Sequence, residues 1–373
     1  MPGDPEEDEI NWFRPVWKTE DQNDLDPVSR RRSQRPLAEP DFDHPLLIPL
    51  ARAQDAVARL QAKTEAASEV VTEGLRARMS YLEASGWLRY AHIRIHPWDL
   101  ALSDHRLTWG TFTGAALGRI RQAKMLPSTV AQEGELVLAS SAVEALQLQF
   151  AIGQALRLAR LWRRLGELRT WRPLADADAI GETLESLLKR RVSNDAIADW
   201  LSRFYLRDQG PDLLRAGRAA KNWECQAGVK ERDPDGVFLG ACLWHEKNRS
   251  APIALPFWSA PEERHIRLGR KVGVPWMVEF LDCIAAAAAT GMRELKRLQE
   301  AEDKGKTMGA TARSRLPKAV DAVLRAHIVT TASLAKAVDV TPQAALVLLR
   351  QLTAAGIVRE ATGRASSRAY ALV

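Results

Sequence analysis

The sequence predicts a mostly α-helical protein, with a winged helix-turn-helix and a small β-wing over residues 316–373. Three observations predict it. Apolar residues recur at roughly helical spacing from residue 46 to residue 302. A basic stretch containing Gly, Ser and Thr then interrupts the pattern over 304–315, as flexible joints do. Beyond it, capping residues, a proline and a glycine punctuate short helices, and two short strand-like segments follow. The chain thus divides into an arm over 1–44, a helical body over 45–303, a basic linker over 304–315 and the winged helix-turn-helix.

The arm holds Pro2, Pro5, Pro15, Pro27, Pro36 and Pro40, a block of acids, and then Arg30, Arg31, Arg32 and Arg35. Such composition is too polar to bury a core of its own. Trp12, Phe13 and Trp17 interrupt it and could pin the tail to the body. The body opens with a stripe of Leu50, Val57 and Leu60, followed by Val70, Leu75, Met79 and Leu82. A later helix places Leu158, Leu161, Leu165 and Leu168 on one face. Arg157, Arg160 and Arg164 lie on another, read as a solvated face with phosphate binding as the sharper alternative. Further helices are expected over 179–190, 194–206 and 275–302. The last has Met277, Phe280, Leu281, Ile284, Leu295 and Leu298 as its apolar side.

In the C-terminal domain, Leu316, Val320, Val323 and Leu324 form the core face of a first helix. Thr331 is expected to cap a second helix over 332–338, and Asp339 and Val340 to make the turn. Thr341 caps the third helix with Pro342 in its first position, where a missing N–H costs nothing. Gly356 stops it in a left-handed conformation. Val340, Ala345, Leu348, Leu349 and Leu352 are expected to point inward. Segments 357–361 and 368–372 read as the strands of the wing.

A recognition helix meets base edges with its N-terminal residues. Here those are Thr341, Gln343 and Ala344, with Arg350 further along. Arg359, Arg364, Ser366, Ser367 and Arg368, in or near the wing, are candidates to hold phosphates. Leu346 and Val347 sit where such a helix usually carries polar residues; thymine methyls or another protein surface would each suit them.

Charge agrees with this layout. The net charge is +6, yet residues 1–29 hold nine acids and two bases, while residues 304–373 hold eleven bases and three acids. A basic C-terminal domain is the electrostatic footprint of a nucleic-acid binder. Apolar residues at 46% and charged residues at 27% suit a globular protein with a core. No membrane span or secretory signal is expected. Cys225, Cys242 and Cys283 are odd in number and widely spaced, which argues against a disulfide framework or a zinc ribbon and for reduced thiols.

Chemistry-bearing motifs are sparse. His92 and His96 belong to an alternating segment that stops at Pro97, and no third metal ligand is evident. Cys242 and His245 lack further ligands in the same way. Neither a P-loop nor a G-x-S-x-G turn occurs. The twelve tryptophans are scattered, as in core packing. The sequence therefore predicts no catalytic residues, no metal site and no cofactor.

The segments "PLARAQDAVARLQAK" (49–63) and "RMSYLEASGWLRYAHIRIHPWDLALSD" (78–104) resemble the N-terminal region of Fic-type proteins. The ending "AAGIVREATGRASSRAYAL" (354–372) is similar to the winged helix many of them carry. "LARAQDAVARL", "MVEFLDCIAAAA" and "TPQAALVLLRQL" resemble more closely an uncharacterised bacterial family with this N-terminal region and a helix-turn-helix. The resemblance covers most of 45–373 and is poor over 120–235. The adenylylation motif His-Pro-Phe-x-x-Gly-Asn-Gly-Arg is missing from the sequence. In the inhibitory Ser-x-x-x-Glu-Gly segment Ser85 is kept, but Arg89 and Tyr90 replace Glu and Gly. The resemblance implies a degenerate Fic-like helical scaffold without adenylylation chemistry. The expectation is a regulator of the bacterial cytoplasm and nucleoid that binds double-stranded DNA, with the body making a homodimer or sensing a partner. The rival is an inactive Fic-scaffold adaptor whose winged helix contacts protein.

Overall fold

The computed structural model describes residues 44–105, 142–167, 170–189, 191–204, 210–226, 232–261, 264, 266–268, 271–308, 314–361 and 368–373. The arm, but for His44, lies outside the described residues. So do Leu168 and residues 106–141.

The body runs α1 (Leu47–Glu65), α2 (Glu69–Tyr90), α3 (Pro97–Asp104), α4 (Ala142–Glu167), α5 (Ala177–Leu188), α6 (Asn194–Phe204), α7 (Asp212–Glu224), α8 (Asp235–Lys247) and α9 (Gly273–Thr307). The C-terminal domain follows as α10 (Leu316–Arg325), β1 (Val329–Thr330), α11 (Thr331–Val338), α12 (Pro342–Ala354), β2 (Val358–Glu360) and β3 (Ala369–Leu372). The protein is mostly helical, as the sequence predicts.

Helix α2 is the centre of the body, packed by α4, α9, α10 and α3. Ser68 starts it by accepting a hydrogen bond from Val71 N. Most of its residues are buried, from Val71 and Leu75 to Trp87 and Leu88, so it has no solvent stripe. Even its Glu83 is buried, and the carboxylate accepts from Phe257 N at 2.9 Å, Trp258 N at 2.6 Å, and Ser259 N and Oγ at 3.3 and 2.5 Å. These donors tie the loop after α8 to α2 and satisfy a group that is costly to bury alone.

Helix α9 begins before and ends after the expected 275–302. It is long and apolar enough to cross a membrane by length and composition. In the structure it lies along α1 and α2 and buries Trp276, Phe280, Leu281, Ile284, Leu295 and Leu298. Its last turn includes Lys304 and Lys306, so the expected linker starts too early: Lys306 pairs with Glu302 at i−4, which extends the helix over the Gly305 position. Residues 309–313 lie outside the described residues.

The arginine face of α4 is engaged within the chain. Arg157 Nε donates to Leu187 O at 3.3 Å, Arg160 pairs with Asp104 at 2.5 Å, and Arg164 stacks over Trp171 at 4.4 Å. Arg160 and Arg164 remain exposed, so the face is solvated as expected, with its cations partnered within the chain. His96 caps α3, its Nδ1 accepting from Trp98 N at 3.1 Å. Among the described residues no group of three or more His, Cys, Asp or Glu could hold a metal ion.

Candidate nucleic-acid interface

Helix α10 buries Leu316, Ala319, Val320, Val323 and Leu324, the amphipathic stripe expected from the sequence. Ile328 and Val329 continue the core into β1. The N-cap of α11 is Thr330, one residue earlier than expected. A capping box decides this: Ser333 N donates to Thr330 Oγ1 at 3.0 Å, and Thr330 N donates to Ser333 Oγ at 2.8 Å. Asp339 ends α11 in a left-handed conformation, and Val340 N reaches back to Ala335 O. Thr341 then caps α12 by accepting from Ala344 N at 3.3 Å, with Pro342 in the first turn. The chain turns through 103° between α11 and α12. That angle belongs to a helix-turn-helix. Gly356 has φ +67° just past α12, a conformation that favours glycine.

Helix α12 sorts its residues cleanly. Ala345, Leu349 and Leu352 are buried, and Val340, Ala344, Leu346 and Leu348 are half-buried. Gln343, Val347, Arg350 and Gln351 form the exposed row, at i, i+4, i+7 and i+8. Val347 is 51% exposed. Leu346 is therefore only partly available to a ligand, and Val347 is the aliphatic residue of the outer face. Two further bases of this domain, which the sequence reading passed over, are exposed: Lys336 in the last turn of α11 and Lys318 in α10. Their signal was a lysine at an outward position of each amphipathic helix.

The sheet has the order β1-β3-β2, antiparallel throughout, with Val358 opposite Leu372 and Val329 opposite Tyr370. Strand β1 was not anticipated, being two residues long. Arg364, Ser366 and Ser367 lie outside the described residues. Arg368 approaches Glu360 at 3.9 Å. Arg359 is exposed on β2, and its guanidinium stacks over Trp98 of α3 at 4.6 Å.

That stacking is one of several contacts joining this domain to the body. Arg78 of α2 is fully buried and donates to Leu324 O at 2.7 Å, Gly74 O at 3.1 Å and Val323 O at 3.5 Å. It thereby satisfies the last carbonyls of α10, where a cation also suits the helix dipole. Burial draws its pKa down to about 10, so it remains cationic at neutral pH. Gly74 lets α2 approach, since a Cβ there would stand 2.1 Å from Leu324 O. The ring of His327 stacks on Tyr81 at 5.3 Å, and Arg325 pairs with Glu73. Burial, then Arg78 and His96, hold the His327 imidazole well below its usual range.

Residues 316–373 match the family of the HTH DNA binding domain. The C-terminal region therefore carries a DNA-binding helix-turn-helix domain. An uncharacterised protein of Sinorhizobium fredii is 27% identical to the chain over 184 residues, 48% of this chain and 47% of its own length. The chain thus spans about half the length of that relative.

Proposed function

We propose that the protein is a DNA-binding transcription regulator whose helix-turn-helix domain is a winged helix, with β2 and β3 as the wing. The observation that carries this reading is the outer row of α12, Gln343, Val347 and Arg350, on a helix set at 103° to α11 within the matched family segment. Such a helix fits the major groove, where Gln343 suits adenine, Arg350 suits guanine or a phosphate, and Val347 suits a thymine methyl. Lys336 and Lys318 flank it as phosphate contacts. The body serves dimerisation or partner sensing, in the bacterial cytoplasm at the nucleoid. As a degenerate Fic-like scaffold it would transfer no AMP. In support, Ser85 Oγ donates to Ile95 O at 2.5 Å and Arg89 Nη2 to Ala260 O at 2.6 Å, both structural roles.

The test is fluorescence anisotropy of the full chain on a labelled non-specific duplex across a salt series. Affinity should fall linearly in log–log form with a slope of roughly −0.9 per phosphate neutralised. Affinity that is absent at low salt would sink the reading. The inactive-scaffold adaptor is the second reading, favoured by one observation: Val347 on α12 is an aliphatic side chain 51% exposed, which a protein surface would cover.

A further inference from the structure

Helices α1 and α9 lie side by side and run in the same direction. Arg52 approaches Asp282 at 3.7 Å, a Cβ at Gly291 would stand 2.8 Å from Leu60, and Ser68 Oγ just past α1 donates to Glu302 at 2.6 Å. Each step along α1 is matched by a step along α9, so both helices begin at the same end of the body.

That end is aliphatic and uncovered. Leu47 and Ile48, the first residues of α1, are 45% and 71% exposed. Val272 precedes α9 and Val274 lies in its first turn; they are 71% and 38% exposed. Pro45 and Pro275 beside them are exposed too. A Cβ added at Gly273 would meet nothing within 4 Å. The other large apolar side chains exposed among the described residues, Phe150, Val347 and Val373, come from three separate parts of the chain. Single exposed apolar side chains are ordinary, but a contiguous set on the order of 400 Å² marks an interaction surface.

We propose that this end is a two-fold dimer interface, covered by the same end of a second copy of the chain. The proposal rests on the reading of the body as a dimerisation unit and names its surface. A standard interface takes about 800 Å² from each partner, so the patch supplies the apolar centre and its polar surroundings the rim. The rim suits a self-complementary contact. It carries both signs, Arg52 with Asp282 and Lys271 with Glu279, so two copies related by a two-fold axis can set base against acid. Such a dimer presents two helix-turn-helix domains, as two half-sites on a duplex require.

The experiment is sedimentation velocity of the full chain without DNA. The expected result is a dimer whose share rises between about 1 and about 100 µM. Ile48→Asp with Val272→Asp should weaken association at least tenfold, by setting like charges across the axis. Both side chains are exposed, and Asp suits the start of a helix, so the variant should keep the circular dichroism of the parent. Val347→Gln should leave association unchanged. A parent that stays monomeric, association unaltered in the Asp variant, or association lost in Val347→Gln instead would each overturn the proposal. Mass is read without DNA, so its failure is distinct from a failure of the anisotropy test of DNA binding.

Discussion

Two faces of the helix-turn-helix domain treat cations in opposite ways. On the seam with the body, cations have partners within the chain: the buried Arg78 holds the carbonyls of α10, while Arg325 and Arg359, both exposed, pair with Glu73 of α2 and stack over Trp98 of α3. On α12, Arg350 stands exposed in one row with Gln343 and Val347, and Lys336 is exposed on α11. A cation committed inside the chain supports structure and orientation; one left in water is available to a phosphate. Because the seam includes a buried guanidinium and a stacked histidine, the domain is held to the body as one unit, and the outer row points where the body dictates.

The largest effect is expected at the seam. Arg78→Ala should lower the stability of the full chain by about 3–5 kcal/mol, because it strands the carbonyls of Leu324 and Val323 and opens a cavity. Urea unfolding checks this. Loss of less than about 1 kcal/mol would show that the seam contributes little to stability. The outer face should behave in reverse. Arg350→Ala with Lys336→Ala should keep the unfolding midpoint, reduce the salt slope of DNA binding by about two units, and weaken binding at least tenfold. Unchanged anisotropy titrations would remove these residues from the interface.

The outer face was largely legible in the sequence, and the seam was not. Thr341, Pro342 and Gly356 act through local backbone chemistry, so their roles follow from neighbours in the chain. Ala345, Leu349 and Leu352 follow from helical period alone. Arg359 read as a wing base because nothing local announces that Trp98 lies under it. Arg78 is one arginine in an amphipathic-looking stretch, and only the approach of α10 reveals what it holds. The cap at Thr330 was misplaced by one residue because both threonines suit an N-cap, and the reciprocal bond with Ser333 decides between them.

A pH titration sharpens the same contrast on a smaller scale. His327 lies against Tyr81 and near Arg78 and His96, and its folded pKa lies below that of a free imidazole. The unfolded chain therefore takes up the proton first. The stabilising contribution is complete above about pH 6.5 and is lost as pH falls below it, at up to about 1.4 kcal/mol per pH unit. His327→Phe preserves the stack without the titration. The unfolding free energy of the parent minus that of the variant should thus become more negative as pH drops from about 7.5 to about 5.5. A difference independent of pH would mean that His327 is neutral in both states or charged in both.

The smallest effect on stability, and the sharpest on function, is expected at Val347. It is half exposed on α12, beside Gln343 and Arg350 and away from Leu349 and Leu352. Its apolar surface is uncovered in the free chain, so Val347→Gln removes no core contact, and Gln is a good helix former. Unfolding free energy should stay within about 0.5 kcal/mol of the parent. If α12 reads the major groove, the change exchanges a methyl contact for a hydrogen-bonding amide, and the preferred base opposite this position shifts from thymine. Selection of bound duplexes from a random pool, compared between parent and variant, measures that shift. If α12 contacts protein, the pool gives no altered preference, while mass by light scattering falls as an apolar contact is replaced by an amide. The leucine one residue earlier cannot make this distinction, because Leu346 is half-buried and its replacement would alter packing in either case.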